Sequence, residues 1–160
     1  MKRLLVFSDS HNRIDNCEEV INSFPYKISG IIHAGDCARD AEDLEAIYPD
    51  IPIYYVHGNT DYISGAPDEL IFEIDGIRIF LTHGYEYNVK QEILTGYRTL
   101  LNTAKMKNAD LCIFGHTHFP ATEIHMGVTL LNPGSIRYGG EYAVVEIENG
   151  KVKTTQMKLS

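Results

Sequence analysis

Short apolar runs alternate with helical patterns in the first third of the chain. Between the runs, apolar residues recur at helical spacing over about 13–24, which Asn12 would cap, and over about 39–48. This alternation is typical of a parallel sheet covered by helices. The runs are predicted as buried strands at residues 4–7, 30–34 and 53–56.

The remaining sequence predicts mainly strands in antiparallel pairs. Two apolar-rich runs, at 69–75 and 77–82, flank the hairpin signal Asp75-Gly76. A longer helix is predicted over about 89–106. So many strands require two sheets, and we expect the helices to lie outside them. The other predicted strands are at 111–114 and, in the last quarter, at about 121–126, 128–132, 141–148 and 151–159.

Length and composition indicate one globular domain spanning residues 1–160, with 44% apolar and 22% charged residues. The formal charge of −8 does not favour binding to a nucleic acid or to an anionic membrane, both of which attract positively charged proteins. A site that holds divalent cations would still be locally positive, so a small phosphate ligand is compatible with this charge.

The three cysteines, Cys17, Cys37 and Cys112, have none of the spacings of zinc or redox sites. We interpret them as reduced thiols of a cytoplasmic protein. No apolar stretch approaches the roughly 20 residues of a membrane span, and Asp9 comes too early for a signal peptide.

Polar residues with oxygen or nitrogen donors follow five of the apolar runs. The first two, Asp9 and His11, would share one face of an extended backbone. Imidazole, carboxylate and amide ligands suit Mn²⁺, Fe²⁺, Zn²⁺, Co²⁺ or Ni²⁺. Seven donors suffice for two metals, and we expect Asp36, on a glycine-led turn between the groups, to bridge them. The donors are Asp9, His11, Asp36, Asn59, His83, His116 and His118.

These segments match, in order, the five motifs of the calcineurin-like metallophosphoesterases. Together with Asn132-Pro133-Gly134-Ser135, the chain resembles the small prokaryotic phosphodiesterase branch of that family. The resemblance implies an α/β (α+β) fold, a four-layer sandwich of two mixed sheets flanked by helices. The matching motifs are Asp9-Ser10-His11, Gly35-Asp36, Gly58-Asn59-Thr60-Asp61, His83-Gly84 and Gly115-His116-Thr117-His118.

The resemblance also implies the ligand sets. Two metals about 3.5–4 Å apart can share a hydroxide that attacks phosphorus in line, and we expect Mn²⁺ as the native metal. Asp36, Asn59, His83 and His116 are the residues expected to serve catalysis at this centre. The first metal would be held by Asp9, His11, Asp36 and His118, and the second by Asp36, Asn59, His83 and His116.

Thr60 departs from the pattern of many larger members, which have His at this position. A threonine hydroxyl is a poor acid, although small prokaryotic members similar to this chain also lack that His. We therefore expect activated aryl phosphodiesters to be cleaved better than alkyl phosphomonoesters.

Arg137 and His57 are the candidate substrate contacts, because a guanidinium fork matches phosphate oxygens and His57 precedes a ligand turn. For each residue a structural or surface role is about as well supported by sequence. The loop Tyr85–Tyr87 would either wall the pocket or pack on the next helix. Supporting roles are expected for Asp61 and for the turn Asn132–Ser135, a buried position for His33 and a surface position for His125.

The predicted function is hydrolysis of a small phosphodiester by a two-metal enzyme. Exposed sheet edges are compatible with a dimer or a tetramer. The alternatives are a phosphomonoesterase and a non-catalytic scaffold, since the retromer coat has a subunit of this fold. A Rossmann-type nucleotide-binding module is disfavoured because no G-x-G-x-x-G follows the first strand. The loops near 62–68, 84–90 and 134–141 would shape the pocket.

Overall fold

The computed structural model describes residues 1–61 and 65–160. Over these residues ten strands form two five-stranded sheets and three α-helices cover them. The strands are β1 (Lys2–Phe7), β2 (Gly30–His33), β3 (Ile53–Tyr55), β4 (Glu69–Ile74), β5 (Ile77–Thr82), β6 (Leu111–Ile113), β7 (Ala121–His125), β8 (Val128–Asn132), β9 (Glu141–Glu148) and β10 (Lys151–Lys158). The helices are α1 (Asp15–Ser23), α2 (Ala38–Ile47) and α3 (Arg98–Met106).

Both sheets are mixed, as predicted. The first has the order β10-β9-β1-β2-β3, in which β1, β2 and β3 are parallel. The second has the order β4-β5-β6-β8-β7, in which β5, β6 and β8 are parallel. Because parallel strands end at the same edge, each sheet presents three loops together at its carboxyl edge. Every predicted donor lies in one of the loops that follow β1, β2, β3, β5 and β6.

The core has three apolar clusters that define the layers. Alternate residues of β1 point to opposite faces, so Leu4 and Val6 pack between the sheets while Leu5 and Phe7 pack against α1 and α2. The third cluster joins the outer face of the second sheet to α3, including Leu100. Burying one large apolar side chain contributes about 1.5–3 kcal/mol, so this two-faced burial explains the uninterrupted apolar runs. None of the described helices has the length and apolar character of a membrane span.

Two helix predictions were wrong in detail. The pattern over 89–106 contains a short 3₁₀ turn at Ile93–Thr95 and then α3, because Gly96 and Tyr97 adopt left-handed backbone at φ 80° and 54°. Asn12 does not cap α1: it also has left-handed backbone, at φ 69°, and the helix begins at Asp15. The end of α1 fits expectation, since Phe24 is extended before Pro25.

Candidate metal centre

The first group of donors consists of Asp9, His11 and His118. The Asp9 carboxylate is fully buried, and its Oδ1 lies 3.3 Å from His118 Nε2 and 3.7 Å from His11 Nε2. The two imidazoles also face each other, with their Nε2 atoms 3.3 Å apart. One carboxylate oxygen and two ring nitrogens therefore converge on a small volume, with all ligand atoms within 4.8 Å of one another.

The second group consists of Asp36, His83 and His116, with Asn59 beside them. Asp36 Oδ2 lies 3.3 Å from His83 Nε2, and Asn59 Oδ1 lies 3.0 Å from the same nitrogen. His83 Nδ1–H donates to the Ala34 carbonyl at 2.7 Å, which directs Nε2 towards the carboxylate and the amide. The seven predicted donors thus form two neighbouring groups.

Each carboxylate has one oxygen held by hydrogen bonds and one that faces imidazoles. Asp9 Oδ2 accepts hydrogen bonds from Ser8 Oγ at 2.6 Å and His116 N–H at 3.1 Å. Asp36 Oδ1 accepts hydrogen bonds from Thr60 N–H at 3.1 Å and Thr60 Oγ1 at 2.8 Å. This arrangement fixes the orientation of the remaining oxygens, Asp9 Oδ1 and Asp36 Oδ2.

Asp9 Oδ1 has no hydrogen-bond partner among the described residues, although it is buried. Leaving a buried charged oxygen unpaired is costly, and three imidazole nitrogens lie within 4.0 Å of it. A divalent cation would satisfy this oxygen and accept the imidazole lone pairs at once, so the donor set fits a metal centre. Asp9 Oδ1 lies 4.0 Å from His83 Nε2 and so reaches from the first group towards the second, whereas the bridging role of Asp36 stays a prediction.

The two carboxylates of the centre, Asp9 and Asp36, both have lowered pKa values. Burial opposes ionisation of Asp9, but its contacts with His11 and His118 outweigh burial and hold its pKa well below the usual range. Burial also opposes ionisation of Asp36, and contacts with His83 and Thr60 lower its pKa to about 2. Both carboxylates are therefore ionised at neutral pH and available to a cation.

Three of the imidazoles have shifted pKa values, two raised and one lowered. The Asp9 contact raises the pKa of His11, and for His83 the contact with Asp36 outweighs burial and raises the pKa. Burial and the neighbouring His83 charge lower the pKa of His116 to about 4, so that ring is neutral at pH 7. Metals held by His11 and His83 would require the neutral form of both rings, so metal binding would compete with their protonation.

Left-handed backbone is concentrated at the donors, so the prediction that Asp9 and His11 share one face of an extended backbone was wrong. Such residues are uncommon outside glycine, and each costs about 1–3 kcal/mol that the surrounding structure must offset. In the loop after β1 this conformation accompanies the convergence of Asp9 and His11 on the first group, and in the loop after β6 it places His118 in the first group and His116 in the second. It occurs at Asp9 (φ 55°), His11 (46°), Asp36 (49°), His116 (71°) and His118 (64°).

Asp61 ties two of the donor loops together, in line with its predicted supporting role. Its Oδ2 accepts hydrogen bonds from Gly58 N–H at 2.6 Å and Asp36 N–H at 3.2 Å. Its Oδ1 accepts a hydrogen bond from Ala38 N–H at 3.0 Å. One carboxylate thus holds the loop of Asp36 and the loop of Asn59 in a fixed relation.

We expect Asp61→Asn to lower the free energy of unfolding by about 1–3 kcal/mol, because an amide supplies one acceptor oxygen where two are used. Binding of Mn²⁺ should weaken as well. Denaturant unfolding and metal titration would measure both effects, with Asp50→Asn, at an exposed position, as the matched control. An Asp61→Asn protein as stable as Asp50→Asn, with unchanged metal affinity, would contradict this role.

A second buried network links the loops after β1 and β2. His33 Nδ1 accepts a hydrogen bond from Gly35 N–H at 3.1 Å, so its Nε2 carries the proton and donates to Ser10 Oγ at 2.8 Å. The Ser10 hydroxyl reaches the Asp40 carboxylate, which also accepts from Asn12 N–H at 3.0 Å. Burial lowers the pKa of His33 to about 4, and its buried position is as predicted.

The turn Asn132–Ser135 packs beneath the centre, as expected. Asn132 Nδ2 donates to the Gly115 carbonyl at 3.1 Å and to Thr117 Oγ1 at 3.0 Å. Ser135 Oγ donates to the Asp9 carbonyl at 2.9 Å. His125, in contrast, lies away from the centre, where it pairs with Glu123 at 2.8 Å.

The two predicted substrate contacts lie on different sides of the centre. Arg137 Nη1 donates to the His11 carbonyl, which places its guanidinium beside the first group. His57 Nε2 contacts the Asp68 carboxylate, and both residues line a cavity that also borders Asn59. Of the loop predicted near 62–68, residues 62–64 lie outside the described residues.

Three aromatic residues have separate roles near the centre. Tyr85 is 60% exposed and its ring meets the edge of the His116 ring at 5.4 Å, so it borders the site. Tyr87 instead donates its hydroxyl to Glu69 and packs on Phe80. Tyr138, which sequence reasoning missed, lies 5.5 Å from the His118 ring in a stacked arrangement.

A family sequence model, related sequences and a solved structure all show similarity to phosphoesterases. The sequence model described as the calcineurin-like phosphoesterase superfamily domain matches residues 1–150. The probable metallophosphoesterase YsnB of Bacillus subtilis is 31% identical over 152 residues, which cover 91% of this chain and 85% of YsnB. Phosphodiesterase MJ0936 of Methanocaldococcus jannaschii is 26% identical over 149 residues, with 81% of each chain covered.

A solved structure shows the same architecture. The crystal structure of a conserved uncharacterized protein, a predicted phosphoesterase of Streptococcus pneumoniae TIGR4, superposes with a TM-score of 0.81 at 29% identity. The match covers 98% of this chain and 89% of the other. The sandwich of two mixed sheets flanked by helices is therefore common to both proteins.

Proposed function

Because the chain belongs to the calcineurin-like phosphoesterase superfamily, we propose that it is a metal-dependent phosphodiesterase with a binuclear centre. Membership supports a metal-dependent phosphoester hydrolase, and the similarity to a phosphodiesterase supports the diester assignment. The proposal extends to small phosphodiesters as substrates and to Mn²⁺ as the preferred metal.

The observation that carries this proposal is the environment of Asp9 Oδ1. This buried, ionised oxygen has no hydrogen-bond partner among the described residues and lies near three imidazoles. Asp9, His11 and His118 would hold one cation, while His83, His116 and Asn59 would hold a second. Asp36 would contribute Oδ2 between them. Bound divalent ions supply charge neutralisation of phosphate oxygens and lower the pKa of water towards about 7.

Three side chains beside the metal ligands have proposed roles in orienting the centre and binding substrate. Thr60 donates its hydroxyl proton to Asp36, so it orients the carboxylate and is not free to protonate a leaving oxygen. Arg137, beside His11, is the proposed contact to a phosphate oxygen. His57, in the cavity beside Asn59, is the proposed contact to the other side of the substrate. Leaving groups that need no proton, such as nitrophenolate, should therefore be favoured.

A substrate and metal screen tests this function. The purified protein, stripped with chelator and reloaded with Mn²⁺, Ni²⁺, Co²⁺, Zn²⁺ or Fe²⁺, would be assayed on bis(4-nitrophenyl) phosphate and on glycerol phosphate. We expect no hydrolysis without metal and a higher kcat/KM on the diester, with Mn²⁺ most effective. A higher efficiency on glycerol phosphate would favour the phosphomonoesterase alternative.

Metal analysis separates the enzyme from a scaffold of the same fold. Protein purified without added metal should contain roughly two transition-metal equivalents per chain if both groups bind. A metal-free protein that shows no metal-dependent hydrolysis in the screen would contradict the proposal and support the scaffold.

Metal loading should release protons at neutral pH. His11 and His83 have raised pKa values in the metal-free protein, and metal binding requires their neutral rings. Apparent metal affinity should therefore increase with pH until both rings are neutral. Calorimetric titration with Mn²⁺ at pH 7 in two buffers of different ionisation enthalpy measures the release. Equal binding enthalpies in the two buffers would show that no protons leave.

A further inference from the structure

Two arginines line a cavity of about 350 Å³ beside the first donor group. The cavity is bordered by Arg13, Asp15, Asn16, Arg137 and Tyr138. This volume is at the lower end of the range for small-molecule pockets. Tyr138 forms the boundary between the cavity and the centre, because its ring lies 5.5 Å from His118 and 5.3 Å from His11. A group bound in this cavity would be next to the phosphorus-binding position.

Arg137 is held in place without being neutralised. Its Nη1 donates to the His11 carbonyl, and its guanidinium carbon lies 5.4 Å from the centre of the Tyr138 ring. No carboxylate of residues 1–61 or 65–160 forms an ion pair with it. Most N–H donors of the Arg137 guanidinium are therefore available to a ligand. Because the side chain is already held in place, it loses less conformational freedom when a ligand binds.

Arg13 provides a second guanidinium with a partner of its own. Its Nη2 lies 3.3 Å from Asp15 Oδ2, and both side chains are largely exposed. Asp15 offsets one of the two positive charges, so the lining keeps a net charge of one. The side-chain amide nitrogen of Asn16 already donates to the Ile136 carbonyl at 2.9 Å.

The cavity beside the second group has the opposite character. It is bordered by three acidic side chains, Asp68, Glu69 and Glu86, and by two imidazoles, of which His57 contacts Asp68 and His83 contacts Asp36. A second anionic group of a substrate would be repelled there and attracted by Arg137. The two cavities therefore differ in the charge that they present to a bound anion.

We propose that Arg13 and Arg137 form a subsite for a second phosphate group, carried on one ester arm of the substrate. This proposal rests on the proposed phosphodiesterase function and narrows its substrates to diesters with a further phosphate. Two guanidinium forks supply more donors than a carboxylate needs and match the oxygens of a phosphate. The phosphate oxygen that Arg137 contacts is then one of this second phosphate and not of the reacting phosphate. The subsite acts through binding, so its effect should fall on KM.

A matched pair of substrates tests the subsite. Thymidine 5′-(4-nitrophenyl phosphate) with a free 3′-hydroxyl and the same compound with a 3′-phosphate differ by one phosphate, and both release nitrophenolate. With Mn²⁺, the 3′-phosphorylated compound should have a kcat/KM at least ~10-fold higher, through a lower KM. In Arg137→Gln this ratio should fall to within about twofold, while Arg98→Gln, on exposed α3 surface, should keep the ratio of the unmodified protein.

The results of this experiment test the subsite and the proposed function independently. If neither compound is hydrolysed with any of the five metals, the proposed function fails. If the 3′-hydroxyl compound is hydrolysed with metal but the 3′-phosphate confers no advantage, the function stands and the subsite is wrong. A preference that survives in Arg137→Gln would also overturn the subsite.

Discussion

Asp36→Asn is expected to lower metal-dependent diester hydrolysis by at least ~10³-fold while the protein stays folded. In the native protein Asp36 Oδ1 accepts both hydrogen bonds from Thr60, so Oδ2 is the oxygen that faces His83. In the variant the amide oxygen would keep the Thr60 bonds, and an NH₂ group would face the imidazole. An NH₂ group cannot ligate a cation, and the negative charge is lost as well.

The size of this effect follows from what the carboxylate contributes. Stabilisation of transition-state charge by metals is worth several kcal/mol, and about 4 kcal/mol corresponds to three factors of ten in rate. The measurements are kcat/KM on bis(4-nitrophenyl) phosphate, metal content and the unfolding midpoint. Asp75→Asn is the matched control, because Asp75 is exposed in the hairpin turn, where Asn-Gly is equally suitable. Near-normal rates in Asp36→Asn would refute its bridging role.

Gly58→Ala is expected to reduce activity at least ~100-fold and to lower the free energy of unfolding by about 1–3 kcal/mol. A Cβ at Gly58 would lie 2.0 Å from Asp36 Oδ1 and 2.8 Å from the Asp36 backbone nitrogen. The Asp36 carboxylate sits between Gly58 and the Thr60 donors, so the added methyl group must displace it. Displacement by even 1 Å would misplace the oxygen directed at the metals.

Gly65→Ala provides the control for this substitution. A Cβ at Gly65 would meet no atom of residues 1–61 or 65–160 within 4 Å, and its backbone is not left-handed. Unfolding in denaturant and kcat/KM should therefore be nearly unchanged in Gly65→Ala. If Gly58→Ala behaves like Gly65→Ala in both measurements, close packing of the Gly58 backbone on Asp36 is not required by the centre.

Much of the fold could be predicted because its strands are buried on both faces. The runs at Leu4–Phe7 and Gly30–His33 have few polar interruptions, and a polar residue directly after such a run lies at a sheet edge. Parallel order then brings the ends of separate strands together. This is why the seven donors could be selected from sequence alone.

What could not be predicted depends on backbone conformation in the loops. Nothing in the local pattern around Tyr97 shows that its backbone is left-handed and that the helix begins only at Arg98. Likewise, the hydrogen bonds of Asp61 to three backbone amides exist only once two separate loops are folded. Tyr138 was missed because its position beside His118 depends on the turn that precedes it.

The most direct test of a binuclear centre is a crystal structure of the Mn²⁺-loaded protein with anomalous scattering from the metal. Two strong anomalous peaks are predicted, one among Asp9, His11 and His118 and the other among Asn59, His83 and His116, with Asp36 Oδ2 between them. Loading with one ion only, or peaks that lie away from these side chains, would contradict the account.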